Sequence, residues 1–134
     1  MIQCGTPTMK KGLPWTICKG FDTFLSISEF IPKNCIKDTN NIVLELSVNR
    51  KVQQRDSTNL MLFPLSRILR DVSHIMALEV GNLIVTGTPK GVGSVVPGDI
   101  MIGKIEDEEE NEIPKASIIV SVEESASEYV YLET

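Results

Sequence analysis

A glycine-rich segment at residues 86–93, with the sequence TGTPKGVG, is the first candidate for chemistry in this chain. Glycine adopts positive φ angles at little cost and lets backbone N–H groups approach a ligand closely. Such a loop, which also carries the hydroxyl groups of Thr86 and Thr88, can bind a phosphate or carboxylate group. It is not a nucleotide-binding motif, because no Gly-Lys-Ser or Gly-Lys-Thr ending follows and the glycine spacing is not GxGxxG. The residues alone leave two interpretations open: an anion-binding loop, or a tight connection after a strand that binds nothing.

Lys19 is the second candidate, because it lies between Cys18 and Gly20 in a stretch that contains many apolar residues. A lysine in that setting is a compact cation that can face an acidic substrate. The alternative is an ordinary surface lysine whose ammonium group contacts water.

Three further groups of reactive side chains fit ordinary roles better than catalysis. His74 has no identifiable serine or cysteine partner, which favours a solvated or locally hydrogen-bonded histidine. The cysteines (Cys4, Cys18 and Cys35) are odd in number and lack a CxxC spacing, so they predict neither a disulfide framework nor a zinc site. The acidic run at residues 106–110 has no glycine at a bend and no fixed ligand spacing, so it predicts a solvated loop.

The composition indicates a globular protein and disfavours several functional classes. With 134 residues, 42% of them hydrophobic and 23% charged, the chain has the size and apolar content of one domain. Its formal net charge of −5 disfavours a nucleic-acid-binding protein, which usually has a basic face. No apolar run approaches the ~20 residues that a membrane helix needs. Residues 1–11 lack the features of a signal or transit peptide.

Hydrophobic periodicity predicts a β-hairpin and one helix before the glycine-rich loop. Residues 42–48 alternate between apolar and other side chains, which indicates a strand with one buried face. Asn49-Arg50 predicts a tight turn, and residues 51–55 predict the returning strand. Residues 64–78 begin with a proline and then have apolar side chains at spacings of three and four, which indicates an amphipathic helix.

After the helix the pattern returns to short strands and turns. Residues 83–85 predict a buried strand that leads into the glycine-rich loop. Residues 100–105 and 117–122 predict two more strands, with the acidic residues 106–112 as a solvated hairpin tip. Because one helix accompanies several strands, the predicted fold class is a β-rich α+β domain. Residues 1–10 lack any periodicity and predict a poorly ordered N-terminal stretch.

Several short motifs also follow one another in a specific order. The sequence KGLPWT at residues 11–16 precedes Lys19 and FDTF at residues 21–24. Further along come Val48-Asn49, Gln54, Thr58, Met61 and Phe63, then VTGTPKGVG from Val85 and Pro97-Gly98-Asp99. Over about residues 10–105 this order resembles the fumarylacetoacetate hydrolase family, and most closely its mitochondrial acylpyruvase/oxaloacetate decarboxylase branch.

The resemblance implies a mixed β-roll, of which residues 11–134 form the C-terminal part of the catalytic domain, and a homodimer. It implies C–C bond hydrolysis in acylpyruvates, decarboxylation of oxaloacetate, or both, with Mg²⁺ or Mn²⁺ stabilising the enolate of the keto-acid substrate. By motif position, Lys19 is the expected catalytic cation and also contacts the substrate. Thr88 and Gly87 are then expected to bind the substrate, and Thr23 to lie in the outer shell of the metal. The resemblance implies a mitochondrial location, with the cytoplasm as the alternative, and neither a membrane nor a nucleic-acid partner.

The sequence departs from the family pattern where the metal should be bound. The family's Glu-x-Glu pair, its later Asp and its water-activating Glu and His are not found upstream of Lys19. The Glu108/Glu110 and Glu110/Glu112 pairs have the spacing but lie in the wrong block. Because a hard cation needs several carboxylates, we expect this chain not to bind the metal tightly. Two hypotheses follow: the C-terminal portion of a complete metal-dependent hydrolase, or a non-catalytic truncated form or pseudoenzyme that acts as a binding or dimerisation module.

Overall fold

The computed structural model of the chain describes residue 12 and residues 16–124. Its regular elements are short and separated by long irregular segments. They are helix α1 (Thr16–Lys19), strands β1 (Val43–Val48) and β2 (Lys51–Ser57), helix α2 (Leu65–Ser73), strands β3 (Ile100–Glu106) and β4 (Ile118–Ser121), and 3₁₀ turns at Lys33–Cys35 and Thr58–Leu60. The poorly ordered stretch predicted at residues 1–10 lies outside the described residues.

The four strands form one antiparallel sheet in the order β2-β1-β3-β4. Strand β1 lies in the interior, where it pairs with β2 on one side and with β3 on the other. Strand β4 extends the sheet beyond β3. The predicted α+β class with one main helix is confirmed, whereas closure of the sheet into a β-roll stays a prediction.

The turn between β1 and β2 places particular demands on the two residues that form it, Asn49 and Arg50. Asn49 and Arg50 both have positive φ angles, 51° and 66°, as a two-residue turn between twisted strands requires. The Asn49 side chain donates from Nδ2 to Asp99 Oδ1 at 2.8 Å and accepts at Oδ1 from the Ile100 N–H at 3.0 Å. The predicted hairpin is therefore confirmed, and its turn is bonded to the start of β3.

Strand β2 contains a β-bulge where its register on β1 shifts. Leu46 lies opposite Gln54 and Ser47 lies opposite Val52, so Gln53 has no residue opposite it. A bulge increases the local twist and redirects the side chains beside it. Gln54, the residue next to this bulge, is buried.

Helix α2 confirms the predicted helix, but it ends at Ser73 rather than at residue 78. Pro64 lies immediately before the first helical residue, with φ −64° and ψ 153°. Beyond the end, Ile75 N donates to Val72 O at 3.0 Å, an i to i−3 bond that tightens and ends the regular ladder. Ile75, one of the apolar residues of the predicted helix at residues 64–78, is 81% exposed.

The prediction of a buried strand at residues 83–85 is wrong. The segment is irregular and pairs with no strand in the described part of the chain, and Leu83 and Val85 are 66% and 70% exposed. A strand needs a hydrogen-bonded neighbour, and an apolar run does not by itself supply one. The strands predicted at residues 100–105 and 117–122 are confirmed as β3 and β4.

The core is small and lies near the start of β1 and the end of β3. Among residues 16–124 the buried apolar residues are Ile42, Ile113 and Ala116, and the partly buried residues packed on them are Ile31, Ile36, Leu44 and Ile105. The buried Thr58 hydroxyl closes this region, because it accepts from Ile42 N at 3.1 Å and donates to Thr39 O at 3.0 Å.

Much apolar surface remains outside this core. Eighteen large apolar side chains in the described residues are each at least 48% exposed, with Phe30 at 86% and Leu62 at 93%. Helices within the described range are too short or too polar to cross a membrane. The exposed apolar side chains show that much of the sheet and of the loops has no other part of the described chain packed on it.

Candidate functional site

The glycine-rich loop is docked on the bulge of β2, and the Gln54 side chain makes the contact. Its Nε2 lies 2.9 Å from Thr88 Oγ1, 2.6 Å from Pro89 O and 3.3 Å from Lys90 O. Gln54 is only 8% exposed, so these bonds form where little water competes. They fix a loop that lies 34 residues further along the chain onto the edge strand of the sheet.

The two backbone carbonyl groups decide how the Gln54 amide is oriented. A carbonyl oxygen can only accept a hydrogen bond, so the NH₂ group rather than Oε1 must face Pro89 and Lys90. The Gln54 amide has two hydrogens for these three contacts, and we assign them to the two shorter ones, to Pro89 O and Thr88 Oγ1. Thr88 Oγ1 is therefore an acceptor in its bond with Gln54.

Gly91 allows the loop to approach the bulge so closely. Its φ angle is +99°, and a Cβ atom added at this position would overlap the carbonyl oxygen of Gln53. Gly87 has φ +103° but open space around it, so its requirement for glycine is conformational only. The two glycines thus have different roles: Gly91 permits docking, and Gly87 leaves backbone room beside Thr88.

A depression of about 160 Å³ opens between β1, the bulge and the docked loop. Its described lining residues are Leu44, Glu45, Leu46, Gln54, Gly87, Thr88 and Pro89. Leu44 and Leu46 make part of the wall apolar, whereas Thr88 supplies a hydroxyl group. An apolar wall with a few placed polar groups is typical of small-molecule sites. The depression thus presents a threonine hydroxyl and the backbone of residues 87–89 beside an apolar wall and the Glu45 carboxylate.

Gly87 and Thr88, two of the predicted site residues, are brought together on this depression, and the other two lie in the α1 region. Lys19 is the exposed last residue of α1 and is not among the described lining residues. Thr23 is exposed in the turn closed by Phe24 N donating to Phe21 O at 3.3 Å. Its φ of 66° is uncommon for a β-branched residue and marks local backbone strain. The roles of Lys19 and Thr23 stay predictions.

The depression lacks the carboxylates that a divalent cation needs. Glu45 is the acidic residue among its described lining, and Glu45 Oε2 lies 3.6 Å from Arg55 Nε. Arg55 also pairs with Glu106, with Nη2 and Oε2 2.7 Å apart. No group of three or more His, Cys, Asp or Glu side chains in the described ranges could hold a metal ion. These residues do not by themselves fit a Mg²⁺ or Mn²⁺ centre.

The acidic hairpin tip predicted as a solvated loop is a turn with its own hydrogen bonds. Asp107 Oδ1 accepts backbone N–H groups from Glu109 and Asn111, both at 2.9 Å. The Asn111 backbone bond is the main reason that the pKa of Asp107 lies below its ordinary value. A depression of about 90 Å³ lies at the tip, and its lining is Lys37, Asp38, Asn41, Asp107, Glu108 and Glu109. The Asp107 carboxylate is thus used to hold its own loop together, and the neighbouring acidic side chains point to solvent, as in an ordinary surface turn.

The remaining reactive side chains have the ordinary environments that the sequence predicts. His74 is exposed, and its Nδ1 lies 2.7 Å from Arg70 O, so the predicted local hydrogen bond is confirmed. Cys35 is an exposed free thiol. Neither His74 nor Cys35 is among the described residues that line the 160 Å³ depression.

Sequence reasoning missed the contact between Gln54 and the loop. A signal was present, because Gln54 faces Leu46 across the hairpin and Leu46 was predicted to point to the buried side. A polar side chain on a buried face needs hydrogen-bond partners. The pattern gives no information on which distant segment would supply them.

Comparison with known sequences identifies close relatives. Residues 5–123 match the family described as fumarylacetoacetate (FAA) hydrolase C-terminal. The chain is 48% identical over 114 residues to the mitochondrial oxaloacetate tautomerase oaa1 of Schizosaccharomyces pombe, covering 85% of this chain and 52% of that protein. It is 52% identical over 91 residues to the mitochondrial oxaloacetate decarboxylase of Dictyostelium discoideum, covering 68% of this chain and 42% of that protein. The chain thus spans about half the length of these curated relatives.

Two solved structures share the fold. A yeast fumarylacetoacetate hydrolase family protein matches with a TM-score of 0.86 and 36% identity, covering 96% of this chain and 54% of that chain. A maleylpyruvate hydrolase from Sphingobium sp. SYK-6, solved in complex with manganese(II) ion and pyruvate, matches with a TM-score of 0.60 and 28% identity. That match covers 70% of this chain and 33% of the other.

Proposed function

Because the chain belongs to the fumarylacetoacetate hydrolase family, we propose that it is part of an enzyme that acts on oxaloacetate or a related 2-keto acid. The candidate reactions are tautomerisation or decarboxylation of oxaloacetate and C–C bond hydrolysis of acylpyruvates. Two relatives are named for the first two reactions. The structural observation that supports the proposal is the docked loop, which sets Thr88 and Gly87 on the wall of a small, partly apolar depression.

The candidate reactions share one electrostatic requirement. When a C–H or C–C bond at the carbon next to the keto group breaks and its electron pair stays on that carbon, negative charge develops on the keto oxygen. Preorganised hydrogen-bond donors at that oxygen stabilise the enolate. We assign this role, or the binding of the neighbouring carboxylate, to the Thr88 hydroxyl. The backbone room at Gly87 would let a substrate oxygen approach the loop.

We assign to Lys19 the offsetting of the same developing charge. This assignment rests on its position in the lysine motif and on its place at the end of α1. An ammonium group is a compact charge that can pair with a carboxylate or an enolate oxygen.

A divalent ion, when bound, would supply Lewis-acid stabilisation of the same oxygen. The related maleylpyruvate hydrolase solved with manganese(II) supports Mg²⁺ or Mn²⁺ as the class of metal. Since the described residues do not fit such a centre, we assign its carboxylate ligands to other parts of the protein. Thr23 is then a candidate for the outer shell of that metal.

We also propose a homodimer and a mitochondrial location for the whole protein. The dimer would cover part of the exposed apolar surface around the sheet. The mitochondrial location is supported by the names of the relatives, which give no support to the cytoplasmic alternative.

The proposal is tested by replacing Thr88 with valine, which removes the hydroxyl and keeps the shape. The whole natural protein would be assayed for ketonisation of enol oxaloacetate, for pyruvate release from oxaloacetate and for acylpyruvate cleavage. We expect the best of these activities to fall by about 10²–10³ in kcat, as for loss of one oxyanion donor. Thr86→Val is the matched control, because Thr86 lies in the same loop but outside the described lining. Equal activity of Thr88→Val and the unchanged protein in all three assays would contradict the proposal.

A second candidate function is a non-catalytic module for binding or dimerisation. It is favoured by one observation: residues 16–124 hold no cluster of ligands for the metal. On this hypothesis the purified 134-residue chain shows no Mg²⁺- or Mn²⁺-dependent acylpyruvate cleavage. Turnover by that chain which Lys19→Ala abolishes would exclude the non-catalytic hypothesis.

A further inference from the structure

The contact between Gln54 and Thr88 has a direction that matters for ligand binding. Two carbonyl oxygens fix the Gln54 NH₂ group toward the loop, so Thr88 Oγ1 accepts one of its hydrogens at 2.9 Å. A hydroxyl group that accepts from one side keeps its own hydrogen for another partner. Thr88 is exposed and lines the depression, so this hydrogen is available to a ligand there.

Two contacts with strand β2 hold this arrangement in place. Gln54 is buried beside the bulge at Gln53, and Gly91 packs its backbone against the Gln53 carbonyl. Bulges redirect side chains and occur often beside functional sites. The loop therefore has two anchors, one through the amide of Gln54 and one through the backbone of Gly91.

We infer that Gln54 is a positioning residue that makes the Thr88 hydroxyl a hydrogen-bond donor toward the depression. This inference deepens the proposed function and rests on it. Its consequence is specificity: the site prefers a ligand that presents an acceptor, such as a carboxylate or enolate oxygen, at Thr88. A neutral ligand that presents a donor there would have only the second lone pair of Thr88 Oγ1, because the first already accepts from Gln54.

The most direct test replaces Gln54 with glutamate in the whole natural protein and measures the dissociation constant of pyruvate as a probe. A carboxylate can only accept, so the Thr88 hydroxyl would donate to it and be lost to the ligand. We expect the dissociation constant for pyruvate to rise about tenfold. Gln53→Glu is the matched control, because it adds the same charge at the neighbouring exposed glutamine. An equal rise in both variants would overturn the inference, since it would reflect charge alone.

Lowering the pH tests whether the loss follows the missing donor at position 54, and the double-mutant cycle below separates action through Thr88 from anchoring of the loop. When the introduced carboxyl of Gln54→Glu is protonated, it regains one O–H donor, so pyruvate affinity should recover relative to Gln53→Glu at the same pH. A pH profile parallel to that of Gln53→Glu would contradict the inference.

A double-mutant cycle covers the case in which Gln54→Glu fails to fold. Gln54→Met keeps a similar length without charge and removes the donor, and it would be combined with Thr88→Val. If Gln54 acts through Thr88, Gln54→Met weakens pyruvate binding about tenfold alone but less than about twofold in the Thr88→Val protein. Additive effects would sink the inference and leave the proposed function standing. A Thr88→Val protein that binds pyruvate and turns over like the unchanged one would instead refute the proposed function.

Discussion

Among single residues, Lys19 is the one whose role depends most on motif order. It is exposed at the end of α1, and the described lining of the depression does not include it. If it offsets charge on the reacting keto acid, Lys19→Ala should lower kcat/KM of the whole protein by about 10²-fold or more. Lys33→Ala is the control, because Lys33 is another exposed lysine, at the first residue of a 3₁₀ turn in the same segment. Similar kinetics for the two variants would remove Lys19 from the site.

Asp99 gives a prediction about pH at the same scale. The Val96 backbone N–H at 2.8 Å and then the Asn49 side chain hold the pKa of Asp99 below its ordinary value. A carboxyl group with a depressed pKa adds stability that is present above its unfolded pKa and is lost as the pH falls through the folded pKa. The midpoint temperature of thermal unfolding should therefore fall as the pH is lowered below about 4.

The variant Asp99→Asn removes this titration and should make the decline below about pH 4 shallower. Asp22→Asn, in the Phe21–Phe24 turn, is the control for loss of one negative charge. Thermal unfolding followed by circular dichroism across the acid range measures the slopes. Parallel slopes for Asp99→Asn and the unchanged protein would contradict a lowered pKa of Asp99 in the folded protein.

At the scale of elements, the docking of the glycine-rich loop on β2 depends on Gly91. An alanine Cβ would overlap the Gln53 carbonyl, and φ of +99° is costly for any residue with a side chain. We expect Gly91→Ala to lower the free energy of unfolding by about 1–3 kcal/mol and to weaken pyruvate binding. Gly93→Ala is the matched control, because the φ angle of Gly93 lies outside the left-handed region. A Cβ atom added at Gly93 would have Gly91 O, 4.0 Å away, as its nearest neighbour. The prediction fails if the two variants unfold at the same temperature.

The sequence predicts the elements whose patterns are local and misses those that depend on distant pairing. The hairpin at residues 42–57 has period-two alternation and a turn with a residue that tolerates positive φ, so both strands were predictable. Residues 83–85 have the same apolar character but no pairing partner among the described strands, so the strand prediction failed. Helix α2 was predictable in position but not in length, because the i to i−3 bond at Ile75 is set by local geometry rather than by periodicity.

The site was predictable only in part for the same reason. Gly87 and Thr88 stand out in the sequence because glycines and hydroxyl residues are concentrated there. The bond from Gln54 to Thr88 joins positions 34 residues apart, and it forms beside the bulge that leaves Gln53 unpaired. No local pattern encodes such a contact, which only the register of the folded sheet creates.

At the scale of the whole molecule, the main property is a small core beside extensive exposed apolar surface. Ile113 is 4% exposed in the core, whereas Leu62 is 93% exposed. We expect the isolated 134-residue chain to bind a hydrophobic dye and to elute above its 14.8 kDa mass, because exposed apolar patches promote association.

Two serine variants separate the surface from the core. Leu62→Ser should reduce dye binding and leave the melting temperature within a few degrees. Ile113→Ser should lower the free energy of unfolding by about 2–5 kcal/mol, as for other truncations of buried aliphatic residues. Equal melting temperatures for the two variants would mean that the described core does not stabilise the chain.

A crystal structure of the whole natural protein with pyruvate bound tests the central claim most directly. The docked loop predicts that Thr88 Oγ1 lies about 2.5–3.0 Å from a pyruvate oxygen. It also predicts that Gln54 Nε2 still donates to Thr88 from the opposite side. Pyruvate bound elsewhere, with no ligand oxygen within hydrogen-bond distance of residues 87–88, would contradict the assignment of this loop to substrate binding.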